Sequence, residues 1–134
     1  MSERVLIDTS AVLPFLVADD MAHERAVSTM RQLSQRRSRI VTTSYILAES
    51  YALVARRVGL DGLTAMRTHL APLFEVVWMD ETRHERALDR LLLLRWRRLS
   101  IVDCSGIVVC EERGIDTVFA FDRHFERAGL TVLG

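Results

Sequence analysis

Two rhythms of apolar and polar residues alternate along this chain. Short apolar runs occur at Val5-Leu6-Ile7, Ile40-Val41-Thr42, Phe74 to Trp78 and Thr117 to Phe121. Between them lie longer stretches whose apolar residues recur every three or four positions. The first rhythm marks buried strands and the second marks helices with one face against a core. Ser10 is expected to cap a short helix that closes near Asp19 and Asp20, and a second helix runs on to Arg36. Thr43 or Ser44 caps a helix through Arg57, with Gly59 as its stop and Asp61 capping a further helix as far as Leu70. Glu81 to Arg98 reads as one long amphipathic helix with an arginine-rich end. Ile101 to Arg113 forms another, ended by Gly114, and Thr131 to Leu133 makes a short edge strand. Strands alternating with helices predict a parallel sheet with helices on its faces, in one compact α/β domain spanning residues 1–134.

Several acids break this pattern. Asp8 and Asp122 each end an apolar strand run, and the carboxyl edge of a parallel sheet is where ligand sites form. If both strands are parallel, the two acids emerge at the same edge; each is also well suited to cap the helix that follows. Glu49 has Tyr45, Ile46, Ala52 and Leu53 three and four positions away, which puts its carboxylate on the face toward the sheet. A carboxylate buried there needs an arginine, a shared proton or a metal ion. Asp103 closes a capping box in Ser100-Ile101-Val102-Asp103, and its place in a first helical turn leaves it free to reach across the sheet edge. Two carboxylates about 5 Å apart repel by roughly 3 kcal/mol at an effective dielectric of 20, so four gathered together require a cation. An all-oxygen cluster suits magnesium or manganese.

Composition narrows the chemistry further. The chain has 134 residues, 49% of them hydrophobic, and 18 basic residues balance 18 acidic ones. No large positive field surrounds the molecule, so any grip on nucleic acid must be local. Every basic residue is arginine. The absence of lysine excludes Schiff-base chemistry and a P-loop lysine. Arg36, Arg37 and Arg39 fall on a loop at the edge away from the acids. Arg95, Arg97 and Arg98 precede the Asp103 motif, where they are placed to hold phosphates or simply to complete a helix end. Cys104 and Cys110 diverge on one helix and read as buried thiols of a reducing cytoplasm. His84 and His124 read as surface residues. Leu91 to Leu94, Trp78 and Trp96 read as core or dimer surface. Asp8 and Pro14 interrupt the apolar start, which argues against a secretory leader, and no apolar stretch is long enough to span a membrane.

Four ordered motifs carry a resemblance over essentially the whole chain. Val5-Leu6-Ile7-Asp8-Thr9-Ser10 resembles the opening strand of PIN domains, and Val41-Thr42-Thr43-Ser44-Tyr45-Ile46-Leu47-Ala48-Glu49 resembles their second motif. Leu99-Ser100-Ile101-Val102-Asp103 is similar to the third, and Phe119-Ala120-Phe121-Asp122-Arg123-His124-Phe125 to the fourth. One departure is Cys104, where the family often has alanine. The resemblance implies a three-layer α/β/α sandwich with a central parallel sheet of four to five strands. It also implies a pocket in which Asp8, Glu49, Asp103 and Asp122 bind Mg2+ or Mn2+, with Thr9 or Ser10 as a supporting hydroxyl. The implied activity is hydrolysis of RNA by a metal-activated water. A chain of this size is similar to the toxins of VapBC-type modules, which implies a homodimer blocked by a cognate antitoxin.

Two neighbouring readings fail. A haloacid-dehalogenase-like phosphatase wants an acid where Ser10 stands, and both it and a receiver domain want a lysine. Two others remain open at this point: a housekeeping PIN nuclease of RNA processing, and a PIN-fold binding module whose acids are structural.

Overall fold

A computed structural model describes residues 3–134. The chain runs β1 (Arg4–Ile7), α1 (Thr9–Leu16), α2 (His23–Gln35), β2 (Arg39–Thr43), α3 (Ser44–Ala65), β3 (Phe74–Val77), α4 (Glu81–Leu94), α5 (Ile101–Arg113), β4 (Thr117–Phe119), α6 (His124–Arg127) and β5 (Thr131–Leu133). The five strands form one sheet in the order β3-β2-β1-β4-β5. Every neighbouring pair is parallel.

Alternation along the strands decides which helices cover which face. Leu6, Val41 and Val118 point into one apolar cluster, which α4, α5 and Phe125 of α6 complete. Val5, Ile7 and Phe119 point into the other, built with Ala11 and Val12 of α1, Ala26 and Leu33 of α2, and Leu47 and Val54 of α3. The result is the expected three-layer sandwich. Because β1 is central and buried on both faces, all of Val5, Leu6 and Ile7 are fully enclosed.

Four element boundaries depart from the sequence reading, each for an identifiable reason. Asp8, not Ser10, caps α1: its carboxylate accepts the Ser10 N–H at 3.1 Å. Thr43 caps α3 through the Ile46 N–H. The break at Gly59 is present, with φ +78°, but the helix resumes at once; Asp61 accepts no hydrogen bond among the described residues. The chain then widens into a π-turn (Met66–Leu70) and a short 3-10 turn (Ala71–Leu73) before β3. α4 stops at Leu94 instead of running to Arg98, because Arg95 turns left-handed at φ +51°. Two turns later Ser100 starts α5 with its capping box. Strand β4 ends at Phe119 and not Phe121, because the N–H groups of Phe121 and Asp122 donate to Ser10 Oγ instead of to a neighbouring strand.

Both cysteines are free and buried, and burial pushes their thiols up, Cys104 to about 11 and Cys110 to about 12. They are unreactive core residues at neutral pH. α5 lies so close to β1 that a Cβ on Gly106 would stand 2.8 Å from Leu6 Cδ2. Leu6 is fully buried and has nowhere to retreat. Gly106→Val is therefore expected to destabilise the fold by about 1–3 kcal/mol, read as a lower urea midpoint at unchanged slope.

Candidate active site

The carboxyl edge of the sheet collects three of the four singled-out acids. Asp8 follows β1 directly, and its N–H donates to Phe119 O at 3.0 Å, which fixes it beside the end of β4. Asp122 sits in the loop after β4. Asp103 lies in the first turn of α5, where its Oδ2 accepts the Ser100 N–H at 2.9 Å and Ser100 Oγ accepts the Asp103 N–H at 3.1 Å. The capping box thus uses one carboxylate oxygen and leaves the other facing the acids.

Ser10 links two of these positions. Its hydroxyl donates to Asp8 Oδ2 at 2.7 Å and accepts from the N–H of Phe121 at 2.9 Å and of Asp122 at 3.3 Å. Ser10 is one of the two hydroxyls singled out in the sequence, and its partners are now explicit. Thr9 does something else. It is buried, accepts from Ser50 Oγ at 3.3 Å, and joins α1 to α3 without touching an acid. Thr43 Oγ1 and Ser105 Oγ, 2.8 Å apart, tie α3 to α5 in the same way.

Glu49 is placed differently from the expectation. It is half-buried on α3, in the wall of a cavity with Tyr45, Ala48, His84, Ile101 and Val102. No ion pair or hydrogen bond joins it to another acid or to an arginine among the described residues. The expected burial against the sheet fails because Ile46 and Leu47 take the inward positions, leaving Ala48 exposed and Glu49 at the rim.

His124, read from the sequence as a surface residue, stands among the acids. Its side chain is 18% exposed; Nδ1 lies 2.7 Å from Asp122 Oδ1 and Nε2 lies 3.3 Å from Asp103 Oδ1. The Nε2 contact is electrostatic more than a well-aligned hydrogen bond, since that buried nitrogen has no partner of good geometry. One local signal was available: the Asp122 carboxylate accepts the His124 N–H two residues on, an Asx turn that aims the ring back at the acid. His84 is likewise not free, but bonded to the Tyr45 hydroxyl.

Electrostatics divide the cluster. Burial pushes Asp8 up from 3.8 to about 6, against the lowering effect of the two Ser10 hydrogen bonds, with the nearby Asp103 charge adding to the rise. Burial also works to raise Asp103, but the His124 imidazole and the Ser100 N–H outweigh it and hold Asp103 below the usual carboxylate range. For His124, burial works to lower the pKa, and the charges of Asp103, Asp122 and Asp8 more than reverse it. The cluster therefore favours positive charge at its centre, and His124 supplies some of it.

The donor set fits a hard divalent cation. All the acids offer oxygen, and Asp8 is only 4% exposed yet bonds Ser10 solely through Oδ2. A buried carboxylate with one oxygen unbonded is what an oxygen-seeking ion would complete. As the side chains lie, no group of three or more His, Cys, Asp or Glu among the described residues is already placed to hold an ion; His124 spans Asp103 and Asp122.

The arginine cluster of the sequence reading falls on the loop after α4 and not on a helix end. Arg95, Arg97 and Arg98 are exposed, and Arg95 and Arg98 both have positive φ. Trp96 anchors the loop: Arg127 of α6 stacks over its ring at 4.5 Å. Arg36 and Arg37 are exposed at the opposite edge, and Arg39 pairs with Glu75 at 3.0 Å.

The Asp8 shift makes a stability prediction. Its folded pKa is raised, so the protonated form is favoured and stability is lost as pH climbs from 3.8 to about 6. The change corresponds to about 3 kcal/mol at most. Asp8→Asn, which keeps an acceptor for Ser10, is expected to melt above the wild type at pH 7 to 8 in chelator. The gain should vanish below about pH 4, where both side chains are neutral. Equal melting temperatures across that range would mean Asp8 is not destabilised by its burial.

Comparison with known proteins agrees with this geometry. The PIN domain family model matches residues 5–130. Ribonuclease VapC26 of Mycobacterium tuberculosis is 30% identical over 123 residues, covering 90% of this chain and 89% of that one. The 23S rRNA-specific endonuclease VapC20 of the same organism is 27% identical over 126 residues, covering 93% and 94%. The crystal structure of VapC20, a sarcin-ricin loop cleaving toxin, superposes with a TM-score of 0.83 at 26% identity, over 95% of this chain and 96% of that one. The DNA-bound VapBC complex of Salmonella typhimurium shares the fold, with a TM-score of 0.70 at 16% identity over 98% and 97%. With a matched family model, acids at the carboxyl edge of a parallel sheet and relatives along its full length, the chain belongs to the PIN-domain family, among its VapC-type members.

Proposed function

We propose that this protein is a metal-dependent endoribonuclease and the toxin of a VapBC-type toxin–antitoxin module. The observation that carries the reading is the buried Asp8 carboxylate, with one oxygen unbonded, beside the Asp103 charge and joined through Ser10 to the Asp122 backbone at one sheet edge. Asp8, Asp103 and Asp122, with Glu49 from the rim, would hold Mg2+ or Mn2+. When bound, such an ion polarises a phosphate and lowers the pKa of a water.

The chain's own residues do the rest. Ser10 fixes the Asp8 rotamer and keeps the Asp122 loop against β1. The Ser100 N–H holds one oxygen of Asp103, so the other points at the acids. His124 bridges Asp103 and Asp122, whose charges favour its protonated form. Arg95, Arg97 and Arg98 offer phosphate contacts beside the site.

The two relatives named as nucleases support RNA as the substrate. A toxin of its own cell's RNA needs a cognate antitoxin, and the exposed Leu92 and Leu93 of α4 offer apolar surface for a homodimer. Free buried thiols suit the cytoplasm. No helix among the described residues is long and apolar enough to cross a membrane.

The test is cleavage of total RNA by the purified protein in magnesium, in manganese and in chelator, beside Asp8→Asn. Cleavage is expected with either metal, and to drop to background in chelator and, by at least about 100-fold, in the mutant. Full activity of folded Asp8→Asn would remove Asp8 from the site. Cleavage unaffected by chelator would remove the metal.

A further inference from the structure

Between the first turns of α3 and α5 and the start of α4 lies a cavity of about 450 Å³. Tyr45, Ala48, Glu49, His84, Ile101 and Val102 line it. Ala48, Ile101, Val102 and the two ring faces give it apolar walls. The Tyr45 hydroxyl is bonded to His84 Nδ1, and the rings meet edge to face with centroids 6.0 Å apart at 79°. Two aromatic rings are thus locked in place without being buried in the core.

The cavity adjoins the acid cluster along α5. Ile101 and Val102 directly precede Asp103 on α5, and Glu49 lies in the wall. A third aromatic stands nearby: Trp78 is 69% exposed, and the next residue, Met79, donates its N–H to Ser44 Oγ at 2.9 Å, next to Tyr45. On the other flank is the arginine loop, held by Trp96 to α6, whose first residue His124 touches Asp103 and Asp122. Arg95, Arg97 and Arg98 have no ion pair among the described residues. The loop that leads into α5 thus carries unpaired positive charge, while the cavity carries aromatic walls.

We infer that this cavity seats one unpaired base of a single-stranded RNA segment, beside the phosphate at the acids, while the arginine loop holds phosphates on the other side. The inference rests on the nuclease reading of the same edge. Charge favours RNA over a protein segment here, since free arginines flank the acids and complement a phosphate chain. Unpaired bases are recognised by stacking on aromatic side chains, and the cavity has room for a planar ring system.

The test measures binding of a short single-stranded RNA of random sequence by fluorescence anisotropy, in chelator so that nothing is cut. Ala48→Trp fills the cavity from an exposed position that the core does not use, and His84→Ala removes one ring. Both should weaken binding roughly tenfold or more, with melting temperatures near the wild type. Affinity within twofold of the wild type in both folded variants overturns the inference, and so does unchanged RNA affinity with loss of a co-expressed antitoxin, which would assign the cavity to that partner. The two readings fail separately. Wild-type protein that cuts RNA but binds it regardless of either variant sinks the base seat alone. Cavity-dependent binding without cutting in any metal sinks the nuclease and leaves the seat.

Discussion

One hydroxyl joins the ends of two parallel strands and makes the acidic edge possible. Ser10 Oγ donates to Asp8 and accepts from the backbone after β4. Without it, β4 could extend along β1 and carry Asp122 further from Asp8, since nothing in Val118 to Phe121 opposes strand structure. The hydrogen bonds that would have lengthened a ladder are spent on a side chain instead. The strand is shorter than its apolar run for that reason, and the acid after it is turned back toward the sheet.

That arrangement carries an electrostatic cost which the protein leaves partly unrelieved. Asp8 is buried without a cationic partner in contact, and burial is the largest cause of its raised pKa. Asp103 is eased by a helix first turn and by His124. Asp122 is half exposed and relies on water and His124. A fold selected for stability alone would place an apolar residue after β1. Retaining the carboxylate with one oxygen unbonded trades stability for an unsatisfied acceptor at the sheet edge.

Much of this was legible in the residues. Apolar runs gave the four principal strands, and strand-end acids gave the edge, because both depend on local pattern and on the parallel topology that alternation implies. What pattern could not supply was the direction of side chains set by contacts across the chain. Asp8 and Ser10 compete for the same cap, and the winner depends on the loop after β4, more than a hundred residues away. Glu49 falls on the rim because α3 meets both apolar clusters through Ile46 and Leu47, which a single helical stripe does not anticipate. His124 looked like any surface histidine until Asp103, on another element, came within reach. The end of α4 was hidden by three good helix formers, Arg95, Arg97 and Arg98; the place of the Trp96 ring under Arg127 and against the core turns the chain there.

The balanced charge of the chain, which counts against a nucleic-acid binder on composition alone, has a structural answer. Many acids are matched by arginines away from the site: Glu75 by Arg39 and Arg113, Glu112 by Arg83, Glu111 by Arg90. Such surface pairs are worth little individually in stability. Their effect on the field is larger, because each pair removes one positive and one negative charge from what an approaching polyanion meets at short range. The arginines of the loop before α5 are not cancelled in this way, so a neutral molecule keeps a local positive flank beside its acids. Net charge averages over the whole surface, whereas a phosphate at the site responds to charges within about a Debye length, roughly 8 Å at physiological ionic strength. Within that radius the identity of the neighbours decides the field, and the sum over 134 residues does not.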